Sequence, residues 1–170
     1  MTPESVGPLS RPVAVQHLPA DGLEVTVEAS PEERDALARD FKLPAIGALH
    51  GRFRLTGRPE GVHVKGVVTA RVTQVCVVTL EEFDDTIGEE VEVDFAGPGA
   101  VPAGAGHSPD RESPDPLLGD HVDLGALTAE FLAIGLDPYP RKPGADFAFE
   151  GQEDEAETPF AALKALKPGG

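Results

Sequence analysis

Residues 51–95 decide the fold, and they read GRFRLTGRPEGVHVKGVVTARVTQVCVVTLEEFDDTIGEEVEVDF. Over much of this stretch apolar and polar residues alternate, which is the period of a β-strand with one buried face. The link at residues 58–61 contains the Pro and Gly of a tight turn. Because short turns join antiparallel strands, the stretch predicts a three-stranded antiparallel meander with one apolar face and one charged face.

The composition is that of a small acidic protein. Its 170 residues suffice for one domain, and 30 acidic against 14 basic residues give a formal net charge of −16. This charge argues against a general nucleic-acid coat, since phosphate binding relies on Lys and Arg. It fits a soluble protein with acidic tails or one that meets a basic partner. With one Cys, no signal-peptide pattern and no membrane-length apolar run, we expect a cytoplasmic protein.

The chain divides into segments of different composition. We predict an α+β fold with a curved antiparallel sheet of about five strands, two main helices and a short C-terminal helix. A barrel-like arrangement of the same strands is the alternative. The segments are a flexible N-terminus at 1–12, a single α+β domain at 13–149 with a flexible insert at 97–119, an acidic linker at 150–158, and a short amphipathic C-terminal helix at 159–167.

Local signals place the other elements. Residues 13–18 and 23–29 read as two strands of a hairpin, and residues 147–149 as a short edge strand. Ser30 and Glu33 form a capping box at the start of the first helix. Asp123 is a suitable N-cap for the second helix, and Gly135 is placed for a left-handed C-cap.

Residues of the types that serve in catalytic and metal sites are spread along the sequence and form no recognised motif. Cys76 stands alone and in phase with Val72 and Val78, which favours a buried structural cysteine over a metal ligand or nucleophile. The pair Asp84–Asp85 reads as a solvated turn. The five histidines share no metal-ligand spacing, and no nucleophile elbow, phosphate-binding loop or dinucleotide-binding motif occurs. We therefore expect a protein that is not an enzyme, with no catalytic residue, no metal and no cofactor.

Residues 52–71 are locally basic, with five basic residues and one acid. Four of the basic residues fall on the polar face of the predicted sheet and are candidates for contact with RNA phosphates. These four are Arg52, Arg54, Lys65 and Arg71. The alternative is cross-strand ion pairing with acids of the neighbouring strand, and the sequence favours it somewhat. Those acids are Glu90, Glu92 and Asp94.

Two tail segments are candidates for docking. Tyr139 stands between prolines and beside Arg141, and Phe160, Leu163 and Leu166 fall on one side of the predicted C-terminal helix. That helix is too short to be stable alone. Docking on its own domain and capture by another protein both remain open.

The order of these features is familiar. Thr73 and Cys76 stand where a CxxC pair would lie, an acidic segment and an insert follow, Asp123–Leu124 opens a helix, and the chain ends on Pro-Phe-Ala-Ala-Leu at 159–163. Across residues 45–167 the chain resembles the YceD-type large ribosomal RNA subunit accumulation protein family. Many relatives have two cysteines at the CxxC position, whereas this chain has one, so we expect no metal or redox role there.

The resemblance implies a non-enzymatic accessory factor in the synthesis, processing or stability of large-subunit (23S-type) ribosomal RNA. The implied partner is that RNA, or a ribosomal or assembly protein, with no membrane involved. The alternative function is a protein-interaction module that binds a basic ribosomal protein or an assembly partner through the acidic segments and the C-terminal helix.

Overall fold

A computed structural model describes residues 7–97, 114–117 and 119–146. The elements in chain order are β1 (Pro12–Ala14), β2 (Leu23–Glu28), α1 (Pro31–Asp40), β3 (Ala45–Arg58), β4 (Gly61–Val75), β5 (Glu82–Ala96), β6 (Asp115–Pro116), β7 (His121–Asp123) and α2 (Leu124–Gly135). The predicted edge strand at 147–149, the acidic linker and the C-terminal helix lie outside the described residues. Neither α1 nor α2 is long and apolar enough to cross a membrane.

The main sheet has five strands in the order β2-β3-β4-β5-β6. All neighbours pair antiparallel except β5 and β6, which pair parallel. The α+β class with a mostly antiparallel five-stranded sheet and two helices is therefore confirmed. The sheet is open, with β2 and β6 as its edges, so the barrel-like alternative is not confirmed.

The meander exists as predicted, but its strands are longer. Strand β3 begins at Ala45 and β5 at Glu82, and pairing runs without interruption along β4 and β5. The interpretation of Asp84 and Asp85 as a solvated turn is wrong, because both lie in β5 opposite Thr73 and Val72. The backbone of β4 supplies the ladder, so two exposed acids are tolerated in a strand.

The apolar face of the sheet carries the core. Five alternate residues of β4 are buried, and so are Leu124, Leu127 and Leu132 of α2; the five are Val62, Val64, Val68, Ala70 and Val72. Helix α2 packs on this face, which we call the inner face. At its centre Phe53 lies opposite Gly66, where a Cβ would come 2.2 Å from the carbonyl oxygen of Arg52. Gly66 thus permits the close approach of β3 and β4.

The capping signals at both helix starts are confirmed. The Ser30 side chain accepts from the Glu33 N–H while the Glu33 carboxylate accepts from the Ser30 N–H, and Asp123 caps α2. The left-handed C-cap at Gly135 is wrong: Gly135 is the last helical residue, and the cap Leu136 has φ −72°. A Cβ at Gly135 would lie 2.4 Å from Ile87 Cγ2, so this glycine serves the close packing of α2 on β5.

The predicted hairpin between residues 13–18 and 23–29 is wrong. Strand β1 pairs with β7 as a separate two-stranded sheet, and β2 pairs with β3. The Asp123 carboxylate holds β1 there, because it accepts hydrogen bonds from the Ser10 hydroxyl (2.6 Å) and the Arg11 N–H (2.7 Å). Within the predicted insert the structure also differs, since Asp115–Pro116 pairs with β5 and Leu117 is buried.

Candidate nucleic-acid interface

The side of the sheet opposite α2, which we call the outer face, gathers the four basic residues singled out by the sequence. Arg52 and Arg54 on β3 and Lys65 and Arg71 on β4 are all exposed. Arg54 lies directly opposite Lys65 in the register, and alternate residues of a strand point to the same side. The four side chains therefore occupy one face of two adjacent strands.

Acidic residues lie on the strands to either side of this basic pair of strands. On β5, Glu92 is opposite Lys65 and Glu90 is opposite Val67; on β2, Glu24 is opposite Arg54. Across four strands the outer face therefore runs acidic, basic, basic, acidic. The side chain of Val67 is 43% exposed, and it lies opposite Arg52 in the register.

The outer-face ion pairs differ from those that the sequence suggested. Arg54 Nη1 lies 3.5 Å from Glu24 Oε1, and its Nη2 donates to the Asp21 carbonyl oxygen at 2.6 Å. Within the described ranges, Arg52, Lys65 and Arg71 have no ion pair within 4.0 Å. Pairing of these cations with the acids of β5 is therefore not what the structure contains. Instead two of those acids flank His63, whose Nδ1 lies 2.7 Å from Asp94 Oδ1 and whose Nε2 lies 3.6 Å from Glu92 Oε1.

A bulge in β3 accommodates Arg71. The register shifts between Ile46 and Ala48, which leaves Gly47 as the extra residue. A Cβ at Gly47 would lie 3.0 Å from Arg71 Nε. The missing side chain thus lets the Arg71 side chain lie across the bulge, nearer the end of the sheet than the other three cations.

Cys76 is buried at the start of the loop that follows β4. Its Sγ accepts a hydrogen bond from the Thr79 N–H at 3.4 Å. Hydrogen bonding by Thr79, chiefly its side chain, lowers the pKa of the Cys76 thiol to about 6, although burial acts in the opposite direction. Among the residues that the structure describes, no group of three or more His, Cys, Asp and Glu could hold a metal ion.

The docking candidates are only partly within the structure. Tyr139 is 72% exposed and Arg141 is also exposed. Phe160, Leu163 and Leu166 lie outside the described residues. Docking by the C-terminal segment therefore stays a prediction.

Sequence reasoning missed Gln74. This residue falls on the inner face of β4, in phase with Val72 and Cys76, and is only 3% exposed. Its Oε1 atom has no hydrogen-bond partner within the part of the chain that the structure describes. The signal was available, because a polar residue at an inward position interrupts the apolar alternation.

Comparison with known proteins agrees with the resemblance seen in the sequence. Residues 64–167 match the model of a family described as the large ribosomal RNA subunit accumulation protein YceD. No curated protein and no solved structure matches the chain. The matched residues include most of β4, with Lys65 and Arg71, as well as β5 and α2. Since the match covers more than half of the chain, the protein belongs to the YceD family of large ribosomal RNA subunit accumulation proteins.

Proposed function

We propose that the protein acts in large-subunit ribosomal RNA accumulation as a non-enzymatic accessory factor, and that its outer face contacts RNA phosphates. The residues in contact would be Arg52, Arg54, Lys65 and Arg71. Membership of the family supports a role in large-subunit ribosomal RNA accumulation. We infer in addition that the outer face contacts RNA and that the protein catalyses no reaction. The observation that carries the inference is the like-charged pair Arg54 and Lys65, directly opposite each other on an exposed face.

This pair works against the stability of the sheet. Directly opposed residues in an antiparallel pair have Cβ atoms about 4.5–5.5 Å apart, and like charges there destabilise the pair. Glu24 on β2 partly offsets the charge of Arg54, but Lys65 has no ion pair within 4.0 Å in the described ranges. An anion above the two strands would relieve the repulsion. RNA phosphate is such an anion, and arginine donates to it in bidentate geometry.

The experiment uses the full chain and titrates it against large-subunit ribosomal RNA fragments over a range of salt concentrations. In the double variant Arg52→Gln/Lys65→Gln, we expect weaker binding. Each phosphate contact that is lost should reduce the slope of log K against log salt by about 0.7–1. Both residues are exposed, so the variant should keep the stability of the parent protein within about 0.5 kcal/mol.

A matched control variant distinguishes the loss of outer-face cations from a general change in net charge. Arg39→Gln/Lys42→Gln removes two exposed cations in the last turn of α1 and just after it, outside the strands that form the outer face. We expect its affinity to fall much less and its salt slope to stay near that of the parent. Equal slopes in the parent and the Arg52/Lys65 variant, or equal losses in both variants, would refute phosphate contact at this face.

A second candidate function is supported by the acidic strand of the same face. Glu90, Glu92 and Asp94 are exposed on β5, and Glu92 and Asp94 lie beside the His63 ring rather than beside an arginine. Such a row could bind a basic ribosomal protein. A pull-down that survives nuclease treatment and is lost in Glu90→Gln/Glu92→Gln, with RNA affinity retained, would favour this function over RNA contact.

A further inference from the structure

A groove opens at the end of the molecule where β4 and α2 finish. Its walls are the loop after α1, from Phe41 to Pro44, and the C-terminal end of α2 with Ala133 and Leu136. Pro138 and Pro140 close its third side, and the groove encloses about 420 Å³. It is lined mostly by apolar side chains, and Gln74 and Val75 of β4 are also part of its lining.

Gln74 is a buried polar residue in the wall of the groove. It is almost fully buried, it lines the groove, and its Oε1 accepts no hydrogen bond from any residue that the structure describes. A buried acceptor left without a donor destabilises the folded state. The Oε1 atom is itself covered, so a donor in the groove, such as a free N–H of the first turn of a helix, bonds to it once the Gln74 amide rotates toward the groove.

The surface beside the groove is also apolar and exposed. Val77 donates its N–H to the Pro140 carbonyl oxygen at 2.9 Å, and Lys142 Nζ lies 3.0 Å from Glu81 Oε2, so the loops after β4 and α2 are joined here. Exposed apolar side chains in these two loops and at the end of β4 are Val75, Val77, Leu80 and Tyr139. Exposed apolar side chains of this kind favour contact with a further apolar segment.

We propose that residues 159–167 of the same chain occupy this groove. The described residues end at Asp146, and the Ala145 N–H donates to the Lys142 carbonyl oxygen beside the groove. Twelve residues separate Asp146 from Pro159, and they can span at most about 40 Å, which is enough to return to the groove. This inference goes beyond the proposed function and does not depend on it.

The chemistry of the segment matches the groove. Phe160, Leu163 and Leu166 supply apolar side chains at helical spacing, and residues 159–167 contain two Lys and no acid. The exposed acids at this end of the sheet and in the adjoining loops are Glu81, Glu82, Asp84, Asp85 and Asp137, and the exposed basic residues there are Lys42, Arg141 and Lys142. Acids outnumber basic residues at the rim, so its net charge is opposite to that of the segment, whereas the tether that precedes the segment is acidic.

The test places a fluorescent probe in the segment of the full chain. The protein contains no Trp, so Phe160→Trp gives a single tryptophan whose emission reports its surroundings. In dilute protein we expect emission at shorter wavelength than for tryptophan in water, unchanged by dilution. Adding Ala133→Arg, which blocks the groove from an exposed position on α2, should shift the emission to longer wavelength.

Two control variants test whether the groove itself holds the segment. Ile134→Arg makes the same charge change at the next residue, which is 61% exposed and does not line the groove, and it should leave the emission unchanged. Leu163→Glu, a change in the segment itself, should expose the probe even if Ala133→Arg unfolds the domain. The proposal would be overturned if Phe160→Trp alone emitted like free tryptophan, or if its emission wavelength depended on protein concentration. It would also be overturned if neither Ala133→Arg nor Leu163→Glu changed that wavelength. A probe that becomes buried only after ribosomal RNA is added would overturn it too.

Discussion

Removing the Asp123 carboxylate should break the hydrogen bonds that hold Ser10 and Arg11 at the start of α2. Asp123 Oδ1 accepts from the N–H groups of Arg11 (2.7 Å), Gly125 (2.9 Å) and Ala126 (3.1 Å), and Oδ2 accepts from the Ser10 hydroxyl at 2.6 Å. In Asp123→Ala the helix loses its N-cap, which costs about 0.5–2 kcal/mol. The Arg11 N–H also loses its acceptor, which costs about 1–3 kcal/mol if it stays buried.

We therefore expect Asp123→Ala to lower the free energy of unfolding by about 2–4 kcal/mol. Asp123→Asn keeps one oxygen as an acceptor but loses the charge, so its loss should be smaller, about 1 kcal/mol. The measurement is urea unfolding followed by circular dichroism, because the chain has no Trp. Asp35→Ala, at an exposed position on α1, is the control and should stay within about 0.5 kcal/mol of the parent.

Two results would refute the reasoning. One is a loss in Asp123→Ala no larger than that in Asp35→Ala, which would mean that the four hydrogen bonds contribute nothing net. The other is an equal loss in the Asn and Ala variants, which would mean that charge, rather than the acceptor geometry, holds the segment.

The packing of α2 and the ionisable groups give three more predictions. Gly135→Ala should destabilise the protein by about 1–3 kcal/mol in the same urea assay, because its Cβ would lie 2.4 Å from Ile87 Cγ2; a neutral result would contradict the close approach. Arg11 bonding lowers the pKa of Glu33 from 4.5, so this stabilisation is present above about pH 4.5 and is lost as the pH falls through the lowered pKa. In Arg11→Gln the unfolding free energy should therefore decrease less steeply as the pH falls below 4.5. The same dependence on pH in parent and variant would argue against the Arg11–Glu33 ion pair. Cys76 should react with a thiol reagent far more slowly in the native protein than in urea, since it is fully buried; equal rates would show that the site opens.

Local features of the fold could be predicted, because their signals lie within a few residues. Ser30 and Glu33 are three positions apart, and the capping box that they form needs no information from elsewhere in the chain. The partner of β1 could not be predicted in the same way. Residues 12–14 pair with 121–123, and alternation along a strand does not specify which distant strand it meets.

The sequence was sufficient to predict which basic residues share the outer face, but not which ion pairs they form. The two-residue period of a strand assigns Arg52 and Arg54 to one face whatever the partner strand is. Whether Lys65 reaches Glu92 depends on the rotamers of long side chains at a solvated surface, where an ion pair gains only about 0–1 kcal/mol. Gly135 shows a further limit, since the same glycine suits a left-handed cap or a close helix–sheet contact, and only the packing of α2 on β5 decides between them.

The order of charges across the outer face restricts the geometry of the RNA contact that we propose. Neighbouring strands lie about 4.8 Å apart, so the acids of β2 and β5 are about 14 Å from each other, with both basic strands between them. At physiological salt the Debye length is about 8 Å, so a phosphate above β3 or β4 still experiences the acidic strand beside it. Attraction is thus confined to a narrow band along two strands. A single RNA strand running parallel to β3 and β4 satisfies this geometry, whereas a duplex laid across the face would bring phosphates over Glu24 and Glu90. The RNA contact that we propose is therefore compatible with a net charge of −16, because it needs one narrow basic band and no general attraction to nucleic acid.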